Sequence, residues 1–274
     1  MEKIMQPVTY RSIWISDTHL GLKASRTEYL YDFLKHTESE YLYLVGDIID
    51  LWKLKRGWHW PEINNQIVRL VMKKAASGTR VIYVPGNHDE LLRDYCDSLF
   101  SGIQVTARAE HVTQEGKKLL ILHGDEFDAV TLNNKWLAKL GSEAYDLLIA
   151  INHWFNWFRR KLGFGYWSLS KHIKHKVKEA VNYISNYEEA VVHAARQHGA
   201  NGVICGHIHH AIISDYDGIE YANCGDWVES CTALAEQDDG KLRLIHWLIE
   251  STELIDGAQP DEDRNRDRRV VAAN

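Results

Sequence analysis

The stretch Val84-Pro85-Gly86-Asn87-His88-Asp89 sets an amide, an imidazole and a carboxylate side by side. An apolar run, Arg80–Val84, reads as a buried strand, and Pro85-Gly86 ends it. The side chains that follow are metal ligands and acid–base groups, held where a rigid sheet can aim them. The design recurs four more times. Asp17 and His19 follow Tyr10–Ser16, Asp47 follows Tyr41–Val45, His123 follows Lys118–Leu122, and His207 and His209 follow Val203–Cys205. One histidine at a strand end is more often hydrogen-bonded structure than ligand, and one Asp there is often a helix cap. Five such loops in one chain are not explained that way. By contrast, His111, His153, His172, His175 and His193 lack this context and read as structural.

Two Asp, four His and one Asn suit a borderline divalent ion such as Mn, Fe or Zn, and no thiolate belongs to the set. Seven ligands exceed one tetrahedral site. They suit two ions sharing a carboxylate, about 3.5–4 Å apart. Two such cations neutralise a phosphate ester and generate hydroxide from water near neutral pH. A histidine such as His88 can then stabilise the transition state or protonate the leaving oxygen, and a carboxylate partner would hold it charged and oriented.

Elements of an α/β fold must carry these loops, because sites assemble at the carboxyl ends of strands. From Asp17 the steps to Asp47, Asn87, His123 and His207 are 30, 40, 36 and 84 residues, which suits one strand-plus-helix unit per step with an insertion in the last. Helices are expected over Ser25–Thr37 and Pro61–Ala76, the latter with Ile63, Ile67, Leu70 and Val71 at helical spacing, Pro61 in its first turn and Gly78 just beyond its end. After Asp128 no strand pattern returns until Gly202. That interval reads as helices interrupted by Gly163-Phe164-Gly165, with Ser168 or Ser170 capping a helix to Ile184 and Gly199 ending another. Strands are expected at Ile219–Asn223, Cys231–Glu236 and Leu242–Trp247, and disorder from Gly257 to Asn274.

Within the insertion, Trp154, Phe155, Trp157 and Phe158 run directly into Arg159, Arg160 and Lys161. An apolar stripe flanked by cations suits an anionic lipid surface or an acyl-chain pocket, and suits equally a core helix with a solvated end. Lys171, Lys174, Lys176 and Lys178 form a second basic cluster that would contact a diphosphate or stay in water.

Composition sets the bounds. With 45% hydrophobic residues over 274, the chain can bury a substantial core, and a net charge of -6 argues against a general nucleic-acid binder. Four cysteines without CxxC spacing read as reduced thiols of a cytoplasmic protein. Met1 to Arg11 lacks a signal-peptide run, and no stretch approaches the ~18 apolar residues of a spanning helix. A soluble or peripheral protein is expected.

The motifs D-x-H, GD-x-x-D, GNH-D, H-G-D and GH-x-H, in this order from Asp17 to His209, resemble the calcineurin-like metallophosphoesterase family. The resemblance implies a four-layer αββα sandwich over residues 1–256 with a helical cap inserted at about 129–187. It implies one ion on Asp17, His19, Asp47 and His209 and another on Asp47, Asn87, His123 and His207. It also implies that His88 faces the scissile phosphate, supported by Asp50. Within the family, His123-Gly124-Asp125-Glu126-Phe127-Asp128 followed by a helical insertion resembles the UDP-2,3-diacylglucosamine hydrolases of lipid A biosynthesis, which cleave a pyrophosphate and usually use Mn. That reading implies a nucleotide-linked lipid substrate, contact with the cytoplasmic face of the inner membrane, and substrate contacts from Arg159, Arg160, Lys171, Trp154 and Trp157. The chain departs from that subfamily at His88, where an Arg is typical. The alternatives are a phosphatase or phosphodiesterase of soluble nucleotides, and a scaffold that has the fold without the catalysis. A scaffold is expected to have lost ligands, and all seven positions are filled.

Overall fold

The computed structural model describes residues 7–128 and 169–256, the side chains of 169–179 and 252–256 excepted. The chain divides into two compact units, Met1–Asp125 with Val192–Asn274, and Glu126–Val191.

The first unit holds two β-sheets. One contains β1 (Val8–Ile15), β2 (Thr37–Val45), β3 (Arg80–Val84), β4 (Leu99–Phe100), β5 (Ile103–Val105), β11 (Thr232–Glu236) and β12 (Leu242–His246), in the order β12-β11-β1-β2-β3-β5-β4. The other contains β6 (Ala109–Val112), β7 (Lys118–Ile121), β8 (Gly202–Cys205), β9 (Ile212–Tyr216) and β10 (Ile219–Asn223), in the order β6-β7-β8-β10-β9. Parallel pairing runs through β1-β2-β3-β5 and through β7-β8-β10, with antiparallel strands at the edges. The helices are α1 (Thr27–His36), α2 (Leu51–Arg56), α3 (Glu62–Ala76), α4 (Leu169–Gln197) and α5 (Trp247–Asp256).

Alternation along the strands divides the core in two. Ile13, Ile15, Leu42 and Leu44 pack with Phe33 of α1, Ile67 and Val71 of α3 and Trp247 of α5. Their neighbours Trp14, Tyr43 and Val45 point the other way, onto Leu119, Ile121, Ile204 and Ala222 of the second sheet. Burial on both faces is why these strands read as continuous apolar runs rather than as alternating ones. Trp14 has no exposed surface, and truncating such a side chain to Ala costs about 3–5 kcal/mol. On the second sheet, the end of α4 from Val192 onward is anchored by Arg196, which donates to the Tyr216 carbonyl of β9 at 2.8 Å. The architecture is an α/β sandwich with the two sheets face to face.

Several expected boundaries move. Thr37 passes from α1 straight into β2, its hydroxyl donating to the Phe33 carbonyl at 2.7 Å, so no loop separates helix from strand. A single helix, α4, replaces the two expected to either side of Ile184, because Ser185 and Asn186 face solvent and do not interrupt it. Trp247 opens α5 instead of ending a strand, and β9 lies between His210 and the expected strand at Ile219. Residues 129–168 and 257–274, and with them the body of the expected cap and the expected tail, lie outside the described residues.

Candidate metal centre

All five ligand-bearing loops leave the carboxyl ends of parallel strands, and they are stitched to one another. Asp17 N donates to the Gly46 carbonyl at 3.0 Å, His19 N to that of Asp47 at 2.9 Å, and Gly206 N to that of His123 at 3.1 Å. Asp17, His19, Asp47, His207 and His209 all have positive φ, between 45° and 70°. For a residue with a Cβ, that left-handed backbone costs roughly 1–2 kcal/mol, and the cost is tolerated where surrounding structure over-determines the turn.

Two features do that here. Asp89 is fully buried and accepts from Gly86 N at 2.6 Å, Ile48 N at 2.8 Å and the Tyr83 hydroxyl at 2.5 Å, so it binds the Asn87 loop to the Asp47 loop. The sequence reads Asp89 as presented alongside Asn87 and His88. The structure turns it inward instead, where its carboxylate satisfies those buried amides. Close approach is the other feature. A Cβ on Gly86 would stand 2.7 Å from both Asp47 N and His123 Cδ2, and one on Gly206 would stand 2.5 Å from Asp17 Oδ2. Both glycines leave room for a ligand side chain.

The side chains converge around Asp47. On one side, His209 Nε2 lies 3.2 Å from Asp17 Oδ1 and 3.4 Å from His19 Nε2, which is itself 3.9 Å from Asp47 Oδ2. On the other, His123 Nε2 lies 3.4 Å from the same Asp47 oxygen, with the His207 ring 5.2 Å from the His123 ring. Asp17, His19 and His209 therefore form one group within reach of a single ion, and Asp47, His123 and His207 form another. The second Asp47 oxygen accepts from His88 N at 2.8 Å.

This donor set fits divalent cations. Asp17 Oδ1 and Asn87 Oδ1 are buried with no hydrogen-bond donor, an expensive state unless a cation meets them. The Nδ1 atom of His123 sits 3.0 Å from the Val45 carbonyl, so Nδ1 carries the proton and Nε2 is the ligating nitrogen. Electrostatics agree. Burial disfavours charge on His123 and His209, but Asp47 beside the first and Asp17 beside the second outweigh it, raising their pKa values to about 10 and about 9. Burial likewise opposes ionisation of Asp17, yet the surrounding histidines hold its carboxyl well below the usual range. The carboxylates draw in positive charge.

Asp50 and His88 adjoin this centre. Asp50 approaches His88 Nδ1 at 3.1 Å through one oxygen and His19 Nδ1 at 3.3 Å through the other. Both contacts are oblique, since neither Nδ1 meets a well-aligned acceptor. They act as ion-pair contacts. Burial alone would lower the His88 pKa, but Asp50, Asp47 and Asp17 raise it overall. His88 Nε2 faces Asp47 Oδ2 at 3.9 Å, and His19, Asp47 and His88 are mutually close enough to share an ion. The geometry thus sets His88 at the edge of the ligand cluster, with its Nε2 toward Asp47.

A sixth loop completes the frame. Asn223 donates to the Gly206 carbonyl at 2.7 Å and accepts from Gly225 N at 3.0 Å. Ser16 donates to the Gly225 carbonyl at 3.0 Å, and Trp227 N to that of Asp17 at 3.1 Å. Asp226 is buried and caps the turn, accepting from Val228 N and Glu229 N. The sequence carried a signal for this loop: Gly225-Asp226 follows a strand just as Gly46-Asp47 does. Arg93, not singled out in the sequence, donates to both oxygens of Asp125 at 2.8 Å and so braces the His123 loop. Trp154, Trp157, Arg159 and Arg160 lie outside the described residues, as does the side chain of Lys171, whose backbone is part of α4.

A family model for the calcineurin-like phosphoesterases matches residues 10–211, a span that contains every ligand loop. The chain belongs to the calcineurin-like phosphoesterase family. It is a metal-dependent hydrolase. Among curated proteins it is 25% identical to a UDP-2,3-diacylglucosamine hydrolase of Psychromonas ingrahamii, covering 86% of this chain and 96% of that protein. It is 26% identical to the protein of the same name from Neisseria meningitidis serogroup B, covering 82% and 93%. A solved archaeal phosphodiesterase aligns over 85% of this phosphoesterase and 98% of its own chain, at 14% identity and a TM-score of 0.41. That overlap is too loose to add to the family match. Among the described residues, no helix of this phosphoesterase is long and apolar enough to cross a membrane.

Proposed function

We propose that this phosphoesterase hydrolyses the pyrophosphate of UDP-2,3-diacylglucosamine to UMP and 2,3-diacylglucosamine 1-phosphate, using two divalent ions, Mn foremost. The observation that carries the reading is the likeness to hydrolases of that name over most of both chains, supported by adjoining groups of metal-competent side chains at the strand ends. Asp17, His19, Asp47 and His209 would hold one ion, and Asp47, Asn87, His123 and His207 the other. When bound, such ions neutralise phosphate charge and acidify water, which supplies the nucleophile. The chain's own contribution is to fix that constellation. Asp89 and the Asn223–Asp226 loop lock the ligand loops, and Asp50 places negative charge beside both His19 and His88. His88, its charge favoured by three carboxylates, stands ready to stabilise charge on the phosphoryl group or to protonate the leaving oxygen. The insertion at about 129–187 is proposed as a cap that takes the acyl chains, with Trp154, Trp157, Arg159, Arg160 and Lys171 as substrate contacts and the membrane surface as its neighbour.

His88, where those hydrolases typically carry Arg, favours a second reading, hydrolysis of a soluble nucleotide ester. One experiment separates them. The Mn-loaded protein is incubated with UDP-2,3-diacylglucosamine, with UDP-glucosamine lacking acyl chains, and with a simple nucleotide diester. The lipid reading expects kcat/KM to fall heavily when the acyl chains are removed, because remote binding energy positions the reacting phosphorus. Equal turnover of the acylated and unacylated compounds would refute it in favour of the soluble ester.

A further inference from the structure

The three residues Asp50, Leu51 and Trp52 all act on His88. The Asp50 carboxylate stands beside Nδ1, and Leu51 N donates to the His88 carbonyl at 3.1 Å. The Trp52 ring lies 4.2 Å from the imidazole, centroid to centroid, tilted by 34°. On its other flank the imidazole meets His19 edge-on, at 4.6 Å and 87°.

These contacts do different things. The oblique Asp50 contact supplies charge but leaves the ring free to turn, because no well-aligned hydrogen bond at Nδ1 fixes its plane. A flat indole face does fix a plane. Among the described residues Trp52 belongs to neither hydrophobic core, and it is 41% exposed at the start of a two-turn helix. Packing among the described residues therefore does not account for an indole at this position. The helix is held in place elsewhere, by Leu54 against Gly21 and by Asp50 accepting from Lys53 N at 2.8 Å. Trp52 is thus free to serve the ring it touches.

We propose that Trp52 is a positioning residue, whose indole face sets the plane of the His88 imidazole so that Nε2 stays directed at the Asp47 side of the centre. This rests on the reading of His88 as a group that acts in the reaction.

The test uses the Mn-loaded full chain with bis(p-nitrophenyl) phosphate, a small diester that needs no cap. Trp52→Leu should lower kcat by roughly 10–100-fold, the scale of an ångström-sized misplacement, with KM changed little. Trp52→Phe, which keeps a flat face, should restore most of it. In a His88→Ala background, Trp52→Leu should have no further effect, since the two act as a unit. A rise in KM at unchanged kcat would overturn the proposal and make Trp52 a substrate contact, and an undiminished loss in the His88→Ala background would overturn it as well. A separate readout is needed in case His88→Ala itself leaves turnover intact, which would refute the role of His88. NMR of the imidazole protons gives one. His88 should show a ring-current shift and cross-peaks to the Trp52 indole that vanish in Trp52→Leu, and their absence in the wild type refutes the positioning directly.

Discussion

Asp17 and Glu236 are both carboxylates with no exposed surface, and their surroundings differ in kind. Glu236 sits within the sandwich, at the pairing of β1 with β11. It accepts from Arg11, from the Ser12 hydroxyl and from His111 Nε2, each at 2.8 Å, and from Gln114 N at 2.7 Å. His111 in turn meets the Tyr43 hydroxyl at 2.9 Å, so the cluster joins the two sheets. Asp17 has a left-handed backbone; its Oδ2 accepts from His207 N at 3.0 Å, while its Oδ1 faces His209 Nε2 at 3.2 Å with no well-aligned donor. One buried carboxylate is saturated by its own chain; the other is left short of donors among three more ligand loops. A protein interior tolerates the first arrangement as structure, while the second, with histidine nitrogens rather than aligned donors around the oxygen, is an arrangement that suits a cation.

The sharpest way to break the comparison is at Asp47, the carboxylate that the proposed two-ion site would share. Asp47→Ala should lose both ions by elemental analysis and reduce turnover by at least about 10³-fold, as removal of a cooperating unit does. A chelator should lower the Tm of the wild type by linkage and leave that of Asp47→Ala unmoved. Full metal occupancy in the variant would sink the assignment.

A smaller effect is expected at His88. Its replacement by Ala should lower kcat about 10²–10⁴-fold with metal content nearly unchanged. Metal lost in step with activity would make His88 a ligand, the other role its geometry offers.

At Glu236 the expectation is loss of stability without loss of chemistry. Glu236→Gln should cost about 1–3 kcal/mol in denaturant unfolding, because the half-buried Arg11 loses its counter-charge and a buried acceptor is weakened, while kcat of the folded variant is unchanged. The pH dependence sharpens this. Burial alone would raise the Glu236 pKa, but His111, the Gln114 amide and Ser12 together depress it from 4.5 to about 2. A depressed carboxylate contributes stability that is fully present above its unfolded pKa and lost as pH falls through the folded one. The stability gap between wild type and Glu236→Gln should therefore hold near neutrality and close between about pH 5 and pH 2. A gap that widened on acidification would contradict the saturated-carboxylate picture.

The amino-acid sequence by itself determined the strand ends and the residues they present. Apolar runs stopped by Gly or Pro, each followed at once by Asp, His or Asn, are local patterns, and buried parallel strands write them plainly. What it left undecided were matters of direction and distance. Asp89 and Asn87 are both polar residues of one loop, yet one turns inward to bind the amides of Ile48 and Gly86 while the Oδ1 of the other is buried with no hydrogen-bond partner. No local pattern separates them, because one of the deciding partners, Ile48, is 41 residues away. The same holds for His111, structural because Glu236 meets it across the two sheets, and for the Asn223–Asp226 loop, which matters because it carries Gly206 and Asp17. Trp52 reads in sequence as one aromatic in a basic stretch; only the placement of α2 sets it against His88. Residue type fixes what chemistry a side chain can do. Tertiary structure decides which partners are close enough to require it.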